Sequence, residues 1–197
     1  MPNQPRHSER KVSITKEEIN TLPLASFSGE VQLITERKKI ISAFEEITSH
    51  EVVGFDTETR PSFHKGQFYH VSLLQLALPE KVFLIRLNQT GITQEMISFL
   101  ENDEILKAGI GLRDDIKALQ KLKRFNADGF VELSTIAKRK GLEVESVKKL
   151  AGLLLGFRIS KSAQTSNWEA EHYTEKQISY AATDAWVCLK LYSTLMK

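Results

Sequence analysis

The segment Gly54-Phe55-Asp56-Thr57-Glu58-Thr59 puts two carboxylates two residues apart at the end of an apolar run. On a β-strand, Val52, Gly54, Asp56 and Glu58 share one face, and Val53, Phe55 and Thr57 share the other. Carboxylates that close repel one another unless a cation neutralises them. A divalent metal with oxygen ligands is the natural occupant; the competing reading is a strand that has already ended, with both acids in water. A further acid, Asp184, sits in a helical stretch whose i±3 and i±4 neighbours are Tyr180, Ala181, Val187 and Cys188. None is a cation, so the ordinary helical ion pair is missing. An acid on an apolar face wants a partner from elsewhere, a metal or a distant base, unless it stands at the exposed edge of the stripe. Tyr180 stacks on the same face as Asp184. Arg113-Asp114-Asp115 opens a helix directly after a strand, where an aspartate ordinarily caps free N–H groups.

Other chemistries find less support. Gly109-Ile110-Gly111-Leu112-Arg113-Asp114, with Glu132 placed 21 residues past Gly111, nearly fits a dinucleotide-binding fingerprint. Its third position should be Gly or Ala, and Asp114 there adds bulk and negative charge where a pyrophosphate would sit. The five histidines (His7, His50, His64, His70, His172) show no metal-ligating spacing, and no G-x-S-x-G occurs. The single cysteine, Cys188, excludes an internal disulfide framework and a thiolate zinc site. Its apolar helical neighbours mark it as a core residue rather than a reactive thiol. Any catalysis therefore falls to carboxylates and metal.

The elements that must position these acids follow from periodicity. Val31–Ile34, Val52–Glu58, Val71–Leu78, Val82–Leu87, Ile105–Ile110 and Phe130–Leu133 read as strands, and Pro79-Glu80-Lys81 marks a hairpin. Helices are expected after Thr35, at Ile92–Leu100, Arg113–Phe125, Thr135–Lys140 and Ser146–Leu155, and from Thr174, where Thr174-Glu175-Lys176-Gln177 is a capping box. Residues 1–29 are polar, carry Pro2, Pro5 and Pro23, and read as a flexible arm with one helical turn at Lys16–Asn20. The order predicts a mixed sheet covered by helices. A length of 197 residues favours one domain, here 30–197. The longest apolar stretch lies around Ala151–Phe157, too short to span a membrane, and the first ten residues lack the apolar core of a secretory signal. These features predict a soluble, cytoplasmic protein. Net charge is only +2, but 12 of the Lys/Arg and 6 of the Asp/Glu fall between Arg113 and Lys161. That basic half suits a phosphate-rich partner, or else a solvated helical surface.

Together, D-x-E on the first core strand, an Asp after Gly-Ile-Gly at a strand–helix junction, and Tyr-x-x-x-Asp on the last helix resemble the DEDDy 3′–5′ exonucleases. These include ribonuclease D and the Werner syndrome protein's exonuclease domain. Phe130-Val-Glu-Leu133, Ser166-Asn-Trp168 and Tyr180-Ala-Ala-Thr-Asp184 are most similar to the Werner-type branch. The resemblance covers about Val31–Lys197 and implies an α/β, ribonuclease H-like fold: an antiparallel meander plus parallel strands, flanked by helices. It implies that Asp56, Glu58, Asp114 and Asp184 hold two divalent ions, Mg²⁺ or Mn²⁺. Asp114 is preferred to Asp115 because the family's acid precedes a polar-apolar-Lys run, here Asp115-Ile116-Lys117. Tyr180, which orients the attacking water, sets the subclass; Ser179 stands where a histidine subclass has His. The chain departs from the family at Ile116, where members often carry an aromatic. The implied partner is single-stranded or 3′-ended nucleic acid, DNA or RNA, with Lys148, Lys149, Arg158 and Lys161 as phosphate contacts. Phe63, Phe68, Tyr69 and Trp168 are candidates for stacking a base, or for ordinary core packing. The alternative is a non-catalytic nucleic-acid-binding protein on the same fold, in which one or more acids should be lost.

Overall fold

The structure is a computed structural model that describes residues 12–144 and 146–197. Six strands, β1 (Glu30–Ile34), β2 (Val52–Thr59), β3 (Val71–Ala77), β4 (Lys81–Arg86), β5 (Leu106–Gly109) and β6 (Phe130–Glu132), form one sheet in the order β1-β4-β3-β2-β5-β6. β2, β3 and β4 make an antiparallel meander; β1 joins β4 in parallel, and β5 and β6 continue in parallel from β2. The hairpin expected at Pro79 is closed by the Leu78 N–H donating to the Lys81 carbonyl. The helices are α1 (Lys16–Thr21), α2 (Ile40–Ile47), α3 (Leu87–Thr90), α4 (Gln94–Glu101), α5 (Leu112–Leu122), α6 (Leu133–Arg139), α7 (Val147–Leu150) and α8 (Glu175–Leu195).

Strand periodicity sorts the core into two layers. Leu74, Leu76, Phe83 and Ile85 join Val53 and Phe55 beneath α2, α4 and α5, while Leu73, Ala77, Val82 and Leu84 face α8. β3 is buried on both faces, as the centre of a covered sheet must be. The capping box before α8 forms as expected: Thr174 accepts from the Gln177 N–H, and Gln177 accepts from the Thr174 N–H. None of the described helices is long and apolar enough to cross a membrane.

Two expectations are corrected. The stretch read as a flexible arm is packed over its described part. Ile14 and Ile19 are buried, Phe27 N–H donates to Thr183, and Leu24 pairs with Arg158; residues 1–11 lie outside the described residues. The polar composition hid the few apolar side chains that anchor this segment. The single helix expected at Ser146–Leu155 is instead α7 followed by a wider π-helical turn, Ala151–Leu155. There Gly152 lets the arm press in: a Cβ at this position would meet Ile19, Leu22 and Ile14 at 3.2–3.3 Å.

Candidate active site

The site exists because α8 lies unusually close to β2. A Cβ on Gly54 would come within 2.1 Å of the Ala185 carbonyl oxygen, so only glycine fits. Ala181, Ala182 and Ala185 are likewise small and fully buried. This contact sets Asp184 beside Asp56. Asp56, Glu58 and Asp184 each offer a carboxylate oxygen, and these oxygens all lie within 4.8 Å of one another. A register shift between Glu58 and Thr59 ends the regular pairing of β2 beside the cluster. The Tyr180 hydroxyl lies within hydrogen-bonding reach of both Glu58 and Asp184. Its ring packs against Trp168, 6.0 Å between centroids. The carboxylates open into a cavity of about 320 Å³, also lined by Ile110, Ser146, Lys161 and Gln164.

The electrostatics are those of an uncompensated cluster. No salt bridge among the described residues reaches any of the three acids. Burial, then the charges of Asp184, Glu58 and Asp115, push the Asp56 carboxyl well above the usual range. Burial, then Asp184 and Asp115, raise Glu58 to about 9, against a smaller opposing hydrogen bond from Tyr180. Asp184 rises to about 6 through burial, held back by Tyr180 and by the charge of Lys161. The Tyr180 phenol is pushed up by burial and by Asp184 and Glu58, so it stays protonated. A set of oxygen donors that raise one another's pKa fits a hard divalent cation, whose charge would reverse every one of these shifts.

The structure sets one expected ligand apart from the cluster. Asp114 is exposed, whereas Asp115 reaches β2: the Thr57 hydroxyl donates to its carboxylate at 2.6 Å, and its charge acts on Asp56 and Glu58. Burial raises Asp115 to about 6. The reason is helical phase. Asp115 lies three residues after Leu112 and four before Leu119, the buried residues of α5, and shares their face. Asp114 is turned away by about 100°. That signal was present in the sequence. Asp115, not Asp114, is the acid that α5 brings against β2.

The nucleic-acid candidates divide. Lys161 lines the acidic cavity, and Lys149 lies on the neighbouring surface with Ser146, a residue common to both cavities. Lys148 is half-buried on α7. Arg158 is engaged elsewhere, its Nε donating to the Leu22 carbonyl at 3.1 Å. Trp168 has 0% exposure and cannot stack a base; it supports Tyr180 from behind. The near-fit to a dinucleotide fingerprint is also resolved. Gly111, at φ 79°, caps α5, and the Glu132 carboxylate accepts from the Gly111 and Leu112 N–H groups, so the position of a pyrophosphate is filled. Cys188 is buried, and burial pushes its thiol up, away from reactivity.

Residues 31–197 match the 3′–5′ exonuclease family. The chain belongs to that family. It is 32% identical to the bifunctional 3′–5′ exonuclease/ATP-dependent helicase WRN of Mus musculus, over 99% of this chain and 15% of the mouse protein. The chain thus spans less than a third of the first curated relatives it matches. Among solved structures, the Nibbler EXO domain of Aedes aegypti superposes with a TM-score of 0.76 at 24% identity, covering 87% of this chain and 90% of that one. Trypanosoma brucei RNase D in complex with RNA U12 gives 0.77 at 19% identity, covering 86% and 63%. These likenesses make the mixed sheet a ribonuclease H-like exonuclease fold.

Proposed function

We propose that the chain is a DEDDy-type 3′–5′ exonuclease that releases nucleoside 5′-monophosphates from the 3′ end of a nucleic acid. The observation that carries this reading is the convergence of Asp56, Glu58 and Asp184, with no salt bridge to any of them among the described residues, beside Tyr180. Asp56, Glu58 and Asp184, with Asp115 beside them, would hold two divalent ions. Bound there, the ions would lower the pKa of water and stabilise charge on the attacking and leaving oxygens.

The chain's own residues do the rest. Tyr180, kept protonated, is a fixed donor beside Glu58 and Asp184 and orients the attacking water. The water oxygen forms a bond to the terminal phosphorus and gives up a proton to solvent, while the bond to the 3′ oxygen of the preceding nucleotide breaks and that oxygen takes up a proton from solvent. Lys161, at the rim of the cavity, offers positive charge to the phosphate. Trp168 and the small face of α8 keep Tyr180 and Asp184 in register with β2. The RNA held by the trypanosomal relative supports nucleic acid as the substrate class.

The test is one gel with three 5′-labelled single strands, ending in a 3′-hydroxyl, ending in a 3′-phosphate, or circular, each with Mg²⁺ and with EDTA. A ladder is expected from the first strand, little product from the second and none from the third. A 3′-phosphate adds about two negative charges at pH 7 beside the acids and removes the terminal hydroxyl donor. EDTA should stop all cleavage. Nicking of the circle would mean an endonuclease, and cleavage that persists in EDTA would overturn the metal assignment. Matched RNA and DNA strands in the same assay assign the sugar preference.

A further inference from the structure

The loop that leaves β2 two residues after Glu58 carries the two most exposed large hydrophobic side chains among the described residues, Phe63 at 77% and Phe68 at 89%. Both are aromatic, and neither serves the core. Phe63 borders a cavity of about 330 Å³ also lined by Arg60, Gln67, Tyr69, Thr165 and Asn167, and Phe68 lies in the chain between two of its lining residues, Gln67 and Tyr69. This cavity adjoins the carboxylate cavity, because the walls are continuous in sequence: Glu58 and Gln164 line the first, Arg60 and Thr165 the second. One or two residues of chain span only about 3–7 Å, within the reach of one nucleotide to the next.

The loop also carries no negative charge of its own. From Arg60 to His70 it carries Arg60, Lys65, His64 and His70 and no acid. Arg60 is anchored by Glu169 at 3.2 Å and lies 4.5 Å over the ring of Tyr69, which fixes that ring at the base of the loop. The Gln67 side chain donates to the Tyr69 hydroxyl.

We propose that residues 60–70 form a stacking platform for the unpaired bases that precede the 3′-terminal nucleotide, with Phe63 and Phe68 as the stacking faces, Lys65 offering charge to the phosphates and Arg60 holding the base of the loop. This rests on the exonuclease reading and adds to it the substrate form: a single-stranded 3′ end, taken with little regard to sequence. Every base has a face to stack, so the platform is sequence-tolerant. In a duplex the same faces are occupied by neighbouring base pairs, and a paired end cannot use the loop without unpairing.

The test is binding by fluorescence anisotropy in EDTA, with wild type and F63A/F68A. The ligands are a 5′-fluorescein-labelled 12-nucleotide single strand, the same strand with abasic sites at the four positions before the 3′-terminal nucleotide, and the blunt duplex. Both side chains are exposed, so the double substitution should leave the fold intact, which circular dichroism checks. The intact single strand should bind the variant about ten-fold or more weakly, the scale of losing base–aromatic stacking. The abasic strand should bind both proteins equally and weakly, and duplex binding should not change between them. Equal affinity of the two proteins for the intact strand would overturn the platform, as would an abasic strand bound as tightly as the intact one. Because binding is read without metal, it stands apart from turnover. A wild type that binds the strand but fails to degrade it in Mg²⁺ would defeat the exonuclease reading and leave the platform standing.

Discussion

Lys107 on β5 and Asp56 on β2 are charged groups withdrawn from water on opposite faces of one sheet. Lys107 is fully buried on the face covered by α4, beside Phe99 and Phe130. Its ammonium donates to the carbonyls of Phe99 and Asn102 and lies within 5.3 Å of both ring centroids. Burial lowers its pKa to about 8, yet every contact it makes suits a cation. On the other face, Asp56 accepts one N–H, from Thr57, and the charges acting on it are those of other acids: Asp184, Glu58 and Asp115. The first arrangement is complete within the chain and ties a loop to the sheet. The second is complete only with something added. Burial of a charge is common to both; what separates a structural charge from a site is whether the fold itself supplies the opposite sign.

The sharpest way to break this contrast is Asp56→Ala. Turnover should fall by roughly 10³-fold, on the scale of removing a preorganised charge-stabilising group. The thermal midpoint in EDTA should hold or rise, because repulsion is relieved. Near-normal activity, or a variant that unfolds, would put Asp56 in the same class as Lys107.

Asp115→Ala and Asp114→Ala, assayed side by side, test the phase of α5. The first should lower kcat by about 10²-fold and the second should change it less than about 2-fold, as expected for an exposed position. The reverse outcome would return the fourth ligand to Asp114. Tyr180→Phe should also lower kcat by about 10²-fold, within the range for a positioned proton-handling group. Its Mn²⁺ affinity by calorimetry should stay close to wild type, because the hydroxyl is assigned to water. A large loss of affinity would instead make Tyr180 part of the metal cage.

Lys107→Met should leave Mn²⁺ affinity and turnover unchanged and cost about 1–2 kcal/mol in urea unfolding, from carbonyls left without a donor. The smallest effect is on pH dependence, and its sign differs between the two faces. The folded pKa values of Asp184 and Asp115 (about 6) and of Glu58 (about 9) exceed the ordinary range of roughly 4. The folded metal-free protein therefore binds more protons than the unfolded chain, and these groups lower its stability as pH rises from 4 through 6 and on towards 9. Lys107, depressed to about 8, acts oppositely and adds stability between pH 8 and about 10.5. Thermal midpoints of EDTA-treated protein from pH 5 to 8 should decline, and added Mg²⁺ should flatten the slope. A flat profile without metal would mean that the acids are not in mutual contact.

Much of this was legible in local pattern. Alternation at Val52–Glu58 located a strand and put Asp56 and Glu58 on one face; the capping box at Thr174 and the spacing of Tyr180 and Asp184 located the last helix and its polar pair. What local pattern obscured was the anchoring of Ile14 and Ile19, each a single apolar residue in a polar stretch. The inward placing of Asp115 was legible in the helical phase of Leu112 and Leu119, a signal that the motif at Asp114 does not carry. The contrast between Trp168, buried, and Phe63 and Phe68, exposed, had no local sign at all.

The sequence by itself determined the elements and the faces of their side chains, since those follow from periods of two and 3.6 residues acting over a few neighbours. Only the tertiary structure decided which faces meet. The approach of Ala185 to Gly54 joins residues about 130 positions apart and thereby turns three separate acids into one cluster. The same packing decided that Lys107 is satisfied and Asp56 is not, because the partners of a buried charge are set by which distant carbonyls, rings and carboxylates the fold brings to it.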